Sequence, residues 1–187
     1  MSYKPLELVI QSAQGLKYVN HVKKMKPFAV VFIRDHNNIL HSSNRKSSVD
    51  SKGGSNPTWN FNVKFTINLA VAKENCLDLV VKLKSRWKTH GLRDKDIGEV
   101  RVLNISELLE GFGDDHDAAE NEKHISKSIV TSDGEAQGAL AFSYKFRRTV
   151  EYPPTDPNVK QRPKRGVNGF AIAHPFVEGL GEGLARG

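Results

Sequence analysis

Alternation of apolar and polar residues over short segments is the feature that most constrains the fold of this 187-residue chain. Between Trp59 and Phe65 every second side chain is apolar, and the same period recurs from Leu77 to Leu83 and from Leu140 to Phe146. Because successive side chains of a β-strand point to opposite faces, this period predicts strands that are buried on one face only.

Five further segments complete a predicted set of eight short strands. Turn-forming Gly, Pro, Asn and Ser residues separate them, which is typical of a two-sheet antiparallel sandwich. The predicted fold class is therefore all-β and eight-stranded, and its one helical signal is a short turn at Ile105–Leu109. One segment, Phe28–Ile33, is apolar on both faces. The five segments are Leu6–Ala13, Phe28–Ile33, Arg45–Val49, Ile97–Leu103 and His124–Val130.

The composition changes after Arg148. From there the chain is rich in proline and glycine and shows almost no alternation, so it lacks the pattern needed to build a core of its own. The sequence predicts one domain over residues 1–148. Residues 149–187 are expected to form a C-terminal tail that is mobile or packed on the sandwich.

The positive net charge of the chain limits the classes of molecule that it is expected to bind. Lys and Arg number 28 against 21 Asp and Glu, which gives +7 and favours an acidic partner: nucleic acid, a phospholipid surface or an acidic protein. The single cysteine, Cys76, lies in an apolar run and is expected to be buried. No run approaches the roughly 20 apolar residues of a spanning helix. We therefore expect a cytoplasmic protein whose contact with a membrane is peripheral.

Catalytic motifs are missing from the sequence. There is no Gly-x-Ser-x-Gly elbow, phosphate-binding loop or His-Glu-x-x-His pair, and the seven histidines are scattered. The sequence predicts a protein that is not an enzyme and that uses no cofactor and no small-molecule substrate. Nucleic-acid binding is also disfavoured, because the aromatic residues alternate inward instead of standing among the basic ones.

Three segments carry a resemblance to a known family. They are LELVIQSAQGLK (Leu6–Lys17), SNPTWNFNVKF (Ser55–Phe65) and DIGEVRV (Asp96–Val102). In order and spacing they resemble the opening strand, the Asn-Pro-x-Trp-Asn turn with its following strand, and the Ile-Gly segment of C2 domains. The resemblance spans most of residues 4–148 and implies a C2 β-sandwich with eight antiparallel strands.

A narrower resemblance concerns GLKYVNHVKKMKPFAVVFI, SNPTWN and the proline- and glycine-containing tail. Together they are similar to small plant C2-only proteins, especially those associated with the Bonzai copines. That likeness implies an adaptor at the plasma membrane with a protein partner such as a copine. It further implies negative regulation of defence responses and cell death.

The resemblance also bears on calcium. Calcium-binding C2 domains use about five aspartates from the first and third loops, because the ion needs a cage of oxygen ligands and negative charge. Here Lys26 stands where the first loop has an acidic residue, and Ser85, Arg86 and Trp87 lie near the positions of the paired aspartates. Only Asp94 and Asp96 remain, so the sequence predicts no metal site.

The same replacements make the loop end of the predicted sandwich basic. In a C2 topology the first and third loops lie side by side, so their cations are expected to bind anionic phospholipid. Trp87 is interpreted as an interfacial anchor, with Met25 and Val22 dipping in beside it, or alternatively as a ring packed on the neighbouring loop. The predicted lipid-binding residues of the two loops are Lys23, Lys24, Lys26, Arg86, Trp87, Lys88 and Arg93.

A second basic surface is expected on the third and fourth strands. It comprises Arg45, Lys46, Lys52 and Lys64, of which Lys46 and Lys64 are predicted lipid-binding residues. The alternative is an ordinary charged sheet surface. For the protein as a whole two alternatives stay open: a protein-interaction scaffold without lipid affinity, and phospholipid binding that depends on calcium.

Overall fold

The structure is a computed structural model, and it describes residues 1–21, 23–87, 92–102, 104–110 and 122–151. Most of the predicted tail, from residue 152 onward, lies outside the described residues. The boundary at residue 148 therefore stays a prediction.

Eight antiparallel strands and two short helices make up the described fold. The all-β, eight-stranded prediction is confirmed, and each predicted strand has a counterpart. The strands are β1 (Tyr3–Gln14), β2 (Pro27–Arg34), β3 (Arg45–Lys46), β4 (Thr58–Asn68), β5 (Asp78–Ser85), β6 (Lys95–Val102), β7 (Lys123–Val130) and β8 (Ala136–Phe146), and the helices are α1 (Leu69–Asn75) and α2 (Ile105–Glu110).

The strands hydrogen-bond in the order β3-β2-β5-β6-β7-β8-β1-β4. Strands β6 and β7 meet through a single residue pair, Glu99 with Val130, and this seam divides the order into two layers of four strands. Gly98 allows the seam to form. A Cβ on Gly98 would lie 2.7 Å from Cγ2 of Ile129 and 2.8 Å from the carbonyl oxygen of Val130, closer than atoms tolerate.

The inward side chains of both layers form one hydrophobic core, to which every strand except the two-residue β3 contributes. Trp59 on β4 is 9% exposed, and its Nε1 donates a hydrogen bond of 3.2 Å to the carbonyl oxygen of Pro27 at the start of β2. This bond links the two layers. Phe28, Val30 and Phe32 form a second buried cluster on the opposite face of β2, as expected for a strand that is apolar on both faces.

Two local features differ from the sequence predictions. Helix α1 was not predicted; it begins after Asn68, whose Oδ1 accepts hydrogen bonds from the amides of Ala70 (3.0 Å) and Val71 (3.2 Å). The prediction that Cys76 is buried is wrong. Cys76 ends α1 in the left-handed conformation (φ 47°), and its side chain is exposed.

Candidate membrane-binding loops

Three long loops meet at one end of the sandwich. We name them loop A (residues 15–26, between β1 and β2), loop B (residues 47–57, between β3 and β4) and loop C (residues 86–94, between β5 and β6). The register pairs Pro27 with Ser85, and Ser85 with Lys95, so loops A and C leave the sheet at the same level. The predicted basic residues of both loops therefore share one end of the molecule.

Direct hydrogen bonds join loop A to the end of β5 and to the start of loop C. The Oγ of Ser85 accepts from the amide of Lys26 (3.1 Å) and from Nδ2 of the buried Asn20 (3.2 Å). The amide of Arg86 donates to the carbonyl oxygen of Lys26 at 2.9 Å. Lys26, which stands where the resemblance places an acidic residue, thus binds Ser85, which lies near the positions of the paired aspartates.

Lys95, at the start of β6, forms a second link between the two loops. Its Nζ donates to the carbonyl oxygen of Val19 at 3.1 Å and stands 4.7 Å from the centre of the Trp87 ring, a cation–π distance. The amide of Trp87 donates in turn to Oδ1 of Asp94 at 3.1 Å. Trp87 is half-buried beneath this ammonium group. The sequence allowed Trp87 to be an interfacial anchor or a ring packed on the neighbouring loop, and this geometry matches the packed ring.

Loop B is held against loop A. The amide of Leu16 donates to the carbonyl oxygen of Ser55, and that of Gly15 to Oδ1 of Asn56, both at 3.0 Å. Within loop B, Asp50 accepts amide hydrogen bonds from Thr58, Lys52 and Gly53. The bond from Thr58, helped by those from Lys52 and Gly53 and the charge of Lys24, lowers the pKa of Asp50 although partial burial opposes this. Asp50 is therefore ionised at neutral pH.

Most of the predicted loop cations face solvent. Lys23, Lys24, Arg86 and Arg93 are exposed and Lys26 is half-buried, whereas Lys88 lies outside the described residues. The guanidinium of Arg86 lies 5.5 Å from the centre of the Phe28 ring. The suggestion that Met25 dips into a membrane is wrong, because Met25 is fully buried in the core; its companion Val22 lies outside the described residues.

Two exposed apolar side chains flank these cations and were missed by the sequence analysis. Tyr18 in loop A is 49% exposed and Leu92 in loop C is 56% exposed. Tyr18 is fixed by a hydrogen bond of 3.3 Å from its hydroxyl to the carbonyl oxygen of Lys23. Loop residues follow no period, so the sequence carries no signal that separates an exposed ring from a packed one.

The family model of the C2 domain matches residues 4–118 of the sequence, a range that includes all three loops. The chain belongs to the C2 domain family. This C2 domain is similar to plant proteins. It is 39% identical over 153 residues to Protein SRC2 of Glycine max, a match that covers 82% of this chain and 49% of that protein. It is 30% identical over 146 residues to Elicitor-responsive protein 1 of Oryza sativa subsp. japonica, covering 74% of this chain and 83% of that protein.

The chain thus spans about half the length of SRC2. Among solved structures, a C2 domain of plant Extended Synaptotagmin 1 matches with a TM-score of 0.57 at 15% identity. The match covers 79% of this chain and 96% of that one. At this identity the likeness shows the C2 fold alone.

The predicted second basic surface of this C2 domain needs correction. Lys46 on β3 pairs with Val30 of β2 and lies on the outer face of the first layer, with the Phe28–Val30–Phe32 cluster. Lys64 is exposed on β4, which pairs with β1 in the other layer. Because β3 and β4 stand at opposite ends of the strand order, Lys46 and Lys64 do not form one sheet face.

Lys64 belongs instead to a cationic cluster around Glu7 of β1. The carboxylate of Glu7 lies 3.1 Å from Nζ of Lys64, 3.4 Å from Nζ of Lys145 and 3.0 Å from a guanidinium nitrogen of Arg147. Partial burial raises the pKa of Glu7, but the hydrogen bonds and charges of Arg147 and Lys64 outweigh it and lower the pKa to about 2. We call these four residues the Glu7 cluster.

Acid should weaken the fold through Glu7. The stabilisation from its lowered pKa is complete above the ordinary glutamate value of 4.5 and is lost as the pH falls towards about 2. We expect Glu7→Gln to remove up to about 3 kcal/mol of the pH dependence of the unfolding free energy in that window. Urea titrations at pH 6, 4 and 2.5 would measure it. Glu107→Gln, at an exposed position of α2, is the control, and equal pH dependence in wild type and Glu7→Gln would contradict the assignment.

The described residues contain no group of three or more His, Cys, Asp or Glu side chains placed to hold a metal ion. In the same part of the chain no helix combines the length and apolar character required to span a bilayer.

Proposed function

We propose that this C2 domain is a calcium-independent adaptor that binds anionic phospholipid surfaces through loops A and C and also binds a protein partner. The observation that supports the proposal is the group of exposed cations at the loop end: Lys23 and Lys24 from loop A, and Arg86 and Arg93 from loop C. Loop A contains no carboxylate, and the Asp94 carboxylate of loop C accepts a hydrogen bond from the Trp87 amide.

The expected strength of phospholipid binding follows from the number of basic residues at the loop end. A basic residue near an anionic leaflet contributes roughly 1 kcal/mol, so four engaged together supply on the order of 4 kcal/mol. Binding of this kind is weak and is screened by salt. Tyr18 and Leu92 add exposed apolar surface beside the cations, and an aromatic ring suits the headgroup region.

Calcium independence is supported by how the loops are held. The ammonium group of Lys95 binds loop A at Val19 and covers Trp87 of loop C, and Ser85 accepts two hydrogen bonds from loop A. A hard divalent cation needs several oxygen ligands with negative charge. Lys26 and Lys95 at the same place would repel it.

Vesicle sedimentation tests the proposal. The protein is mixed with phosphatidylcholine vesicles that contain or lack phosphatidylserine, in EGTA and in calcium, at low and high salt. We expect binding only with phosphatidylserine, equal in EGTA and calcium, and lost at high salt. Binding that requires calcium would favour the calcium-dependent alternative. Absence of binding in all conditions would favour the scaffold without lipid affinity.

The cellular role is part of the same proposal. The resemblance to copine-associated plant proteins and the name of the rice relative, Elicitor-responsive protein 1, support a role in defence and cell-death regulation. We propose a cytoplasmic protein, peripheral at the plasma membrane, that acts as a negative regulator together with a partner such as a copine. Co-precipitation with a copine that survives the Lys23→Glu/Lys24→Glu change would separate partner binding from lipid binding.

A further inference from the structure

Strand β4 presents a free edge. Its eleven residues pair with β1 on one side, and β4 is the last strand of the order, so no strand of the described fold pairs with its other side. The side chains Asn60, Asn62, Lys64 and Thr66 on its outer face are exposed. An unpaired strand edge offers a row of backbone donors and acceptors to another extended chain.

Positive charge lies beside this edge. The register places Lys64 of β4, Glu7 of β1 and Lys145 of β8 in one row across three strands. With Arg147, the Glu7 cluster holds three cations and one carboxylate, a formal charge of +2. Lys64 is the cation of the cluster that lies on β4 itself, whereas Lys145 and Arg147 lie on and just after β8, on the other side of Glu7.

Lys64 is also the most exposed cation of the Glu7 cluster. The side chain of Lys64 is 77% exposed and that of Arg147 is 47% exposed, compared with 29% for Lys145. Lys64 can therefore turn part of its donor capacity towards an incoming carboxylate, while Arg147 and Lys145 remain bound to Glu7. Lys64 is the cation that a strand added beside β4 meets directly, and Arg147 contributes positive charge from two strands further in.

Charge argues against a second copy of this chain as the occupant. Antiparallel pairing of two β4 strands would bring Lys64 of each copy, and the two positive clusters, towards one another. Like charges that face each other across strands destabilise the pair. An acidic strand in the same place would instead gain charge-assisted hydrogen bonds.

We propose that the free edge of β4 accepts an extended acidic segment of a partner protein. The segment adds a strand by backbone pairing, and its carboxylates bind Lys64, drawn by the net positive charge of the Glu7 cluster. This inference deepens the proposed partner binding and is independent of lipid binding. The edge runs along the flank of the sandwich, whereas the lipid-binding loops lie at its end, so both surfaces can be occupied together.

A labelled peptide tests this directly. The probe is a fluorescein-labelled peptide of alternating Glu and Thr, and the control is the same peptide with Lys in place of Glu. We expect the acidic peptide to bind the full chain, to bind less at high salt and to slow hydrogen exchange of the β4 amides. Lys64→Glu with Arg147→Glu should weaken binding about tenfold. Lys64→Gln with Arg147→Gln, which avoids a new carboxylate beside Glu7, should weaken it by a smaller factor.

The loop variant Lys23→Glu/Lys24→Glu is the matched control. It should lose vesicle binding and keep peptide binding, while the edge variants should do the reverse. The inference is overturned if the edge variants bind the acidic peptide as wild type does, if the loop variant loses it, if the basic peptide binds equally, or if the β4 amides are not protected. Loss of vesicle binding in the edge variants would mark this flank as a membrane contact and would also overturn it. Failure of wild type to bind vesicles would count against the lipid proposal alone.

Discussion

Replacing Lys23 and Lys24 together by glutamate is expected to lower the affinity of this C2 domain for phosphatidylserine vesicles roughly a hundredfold. Both side chains are exposed in loop A, and the double change removes two positive charges and adds two negative ones at the proposed contact. At roughly 1 kcal/mol for each basic residue, the removal alone costs about 2 kcal/mol, and repulsion by the new carboxylates adds to it. Titration of the protein with vesicles at low salt would measure the change.

A second double variant separates local from overall charge. Lys73→Glu with Arg148→Glu makes the same change in net charge at two exposed positions, in α1 and just after β8, at the other end of the sandwich. This variant should keep its vesicle affinity to within a few-fold. Equal losses in the two variants would mean that vesicle binding follows net charge and not loop A.

The largest effect on stability is expected from Trp59→Ala. The ring is 9% exposed, packs in the main core and donates to the carbonyl oxygen of Pro27. Truncating a large buried aromatic residue costs about 3–5 kcal/mol, a large part of the 5–15 kcal/mol that stabilises a typical domain. Urea unfolding followed by circular dichroism would measure the loss. Fluorescence is unsuitable, because Trp87 would then supply the entire tryptophan signal.

Trp59→Phe serves as the comparison. Phenylalanine retains most of the apolar surface and loses the Nε1 donor, so its cost should be smaller, near 1–3 kcal/mol for the carbonyl oxygen of Pro27 left without its partner. A loss below 1 kcal/mol for the alanine variant would show that Trp59 does not hold the two layers together.

The strands were predictable because apolar and polar residues alternate along them in the sequence. Phe28–Ile33 was recognised as apolar on both faces, and the structure gives β2 a hydrophobic cluster on each side. Helix α1 was not recognised, because its apolar residues continue directly from β4 and its beginning depends on the single cap residue Asn68. Cys76 was placed in the interior by its apolar neighbours, whereas its left-handed backbone turns the side chain outward.

The loop end was predictable only in outline. The order of the elements brings Lys23, Lys24 and Arg86 to one end, and the family resemblance implied this. The position of Lys95 over Trp87 and the burial of Met25 depend on three-dimensional contacts between loops, which no sequence period encodes. Lys46 and Lys64 were grouped because their strands are consecutive in the chain, but consecutive strands need not be neighbours in the sheet.

The one-pair seam between β6 and β7 has a consequence for how the domain unfolds. The backbone ladders of the two layers are almost separate, so few hydrogen bonds carry cooperativity from one layer to the other. The cooperativity between the layers must instead come from the side chains of the shared core. A large-to-small substitution in the core beneath the seam should therefore let one layer unfold before the other. Amide exchange rates in β2 and β5 would then diverge from those in β1 and β8. In the unsubstituted protein the exchange rates of the two layers should change together.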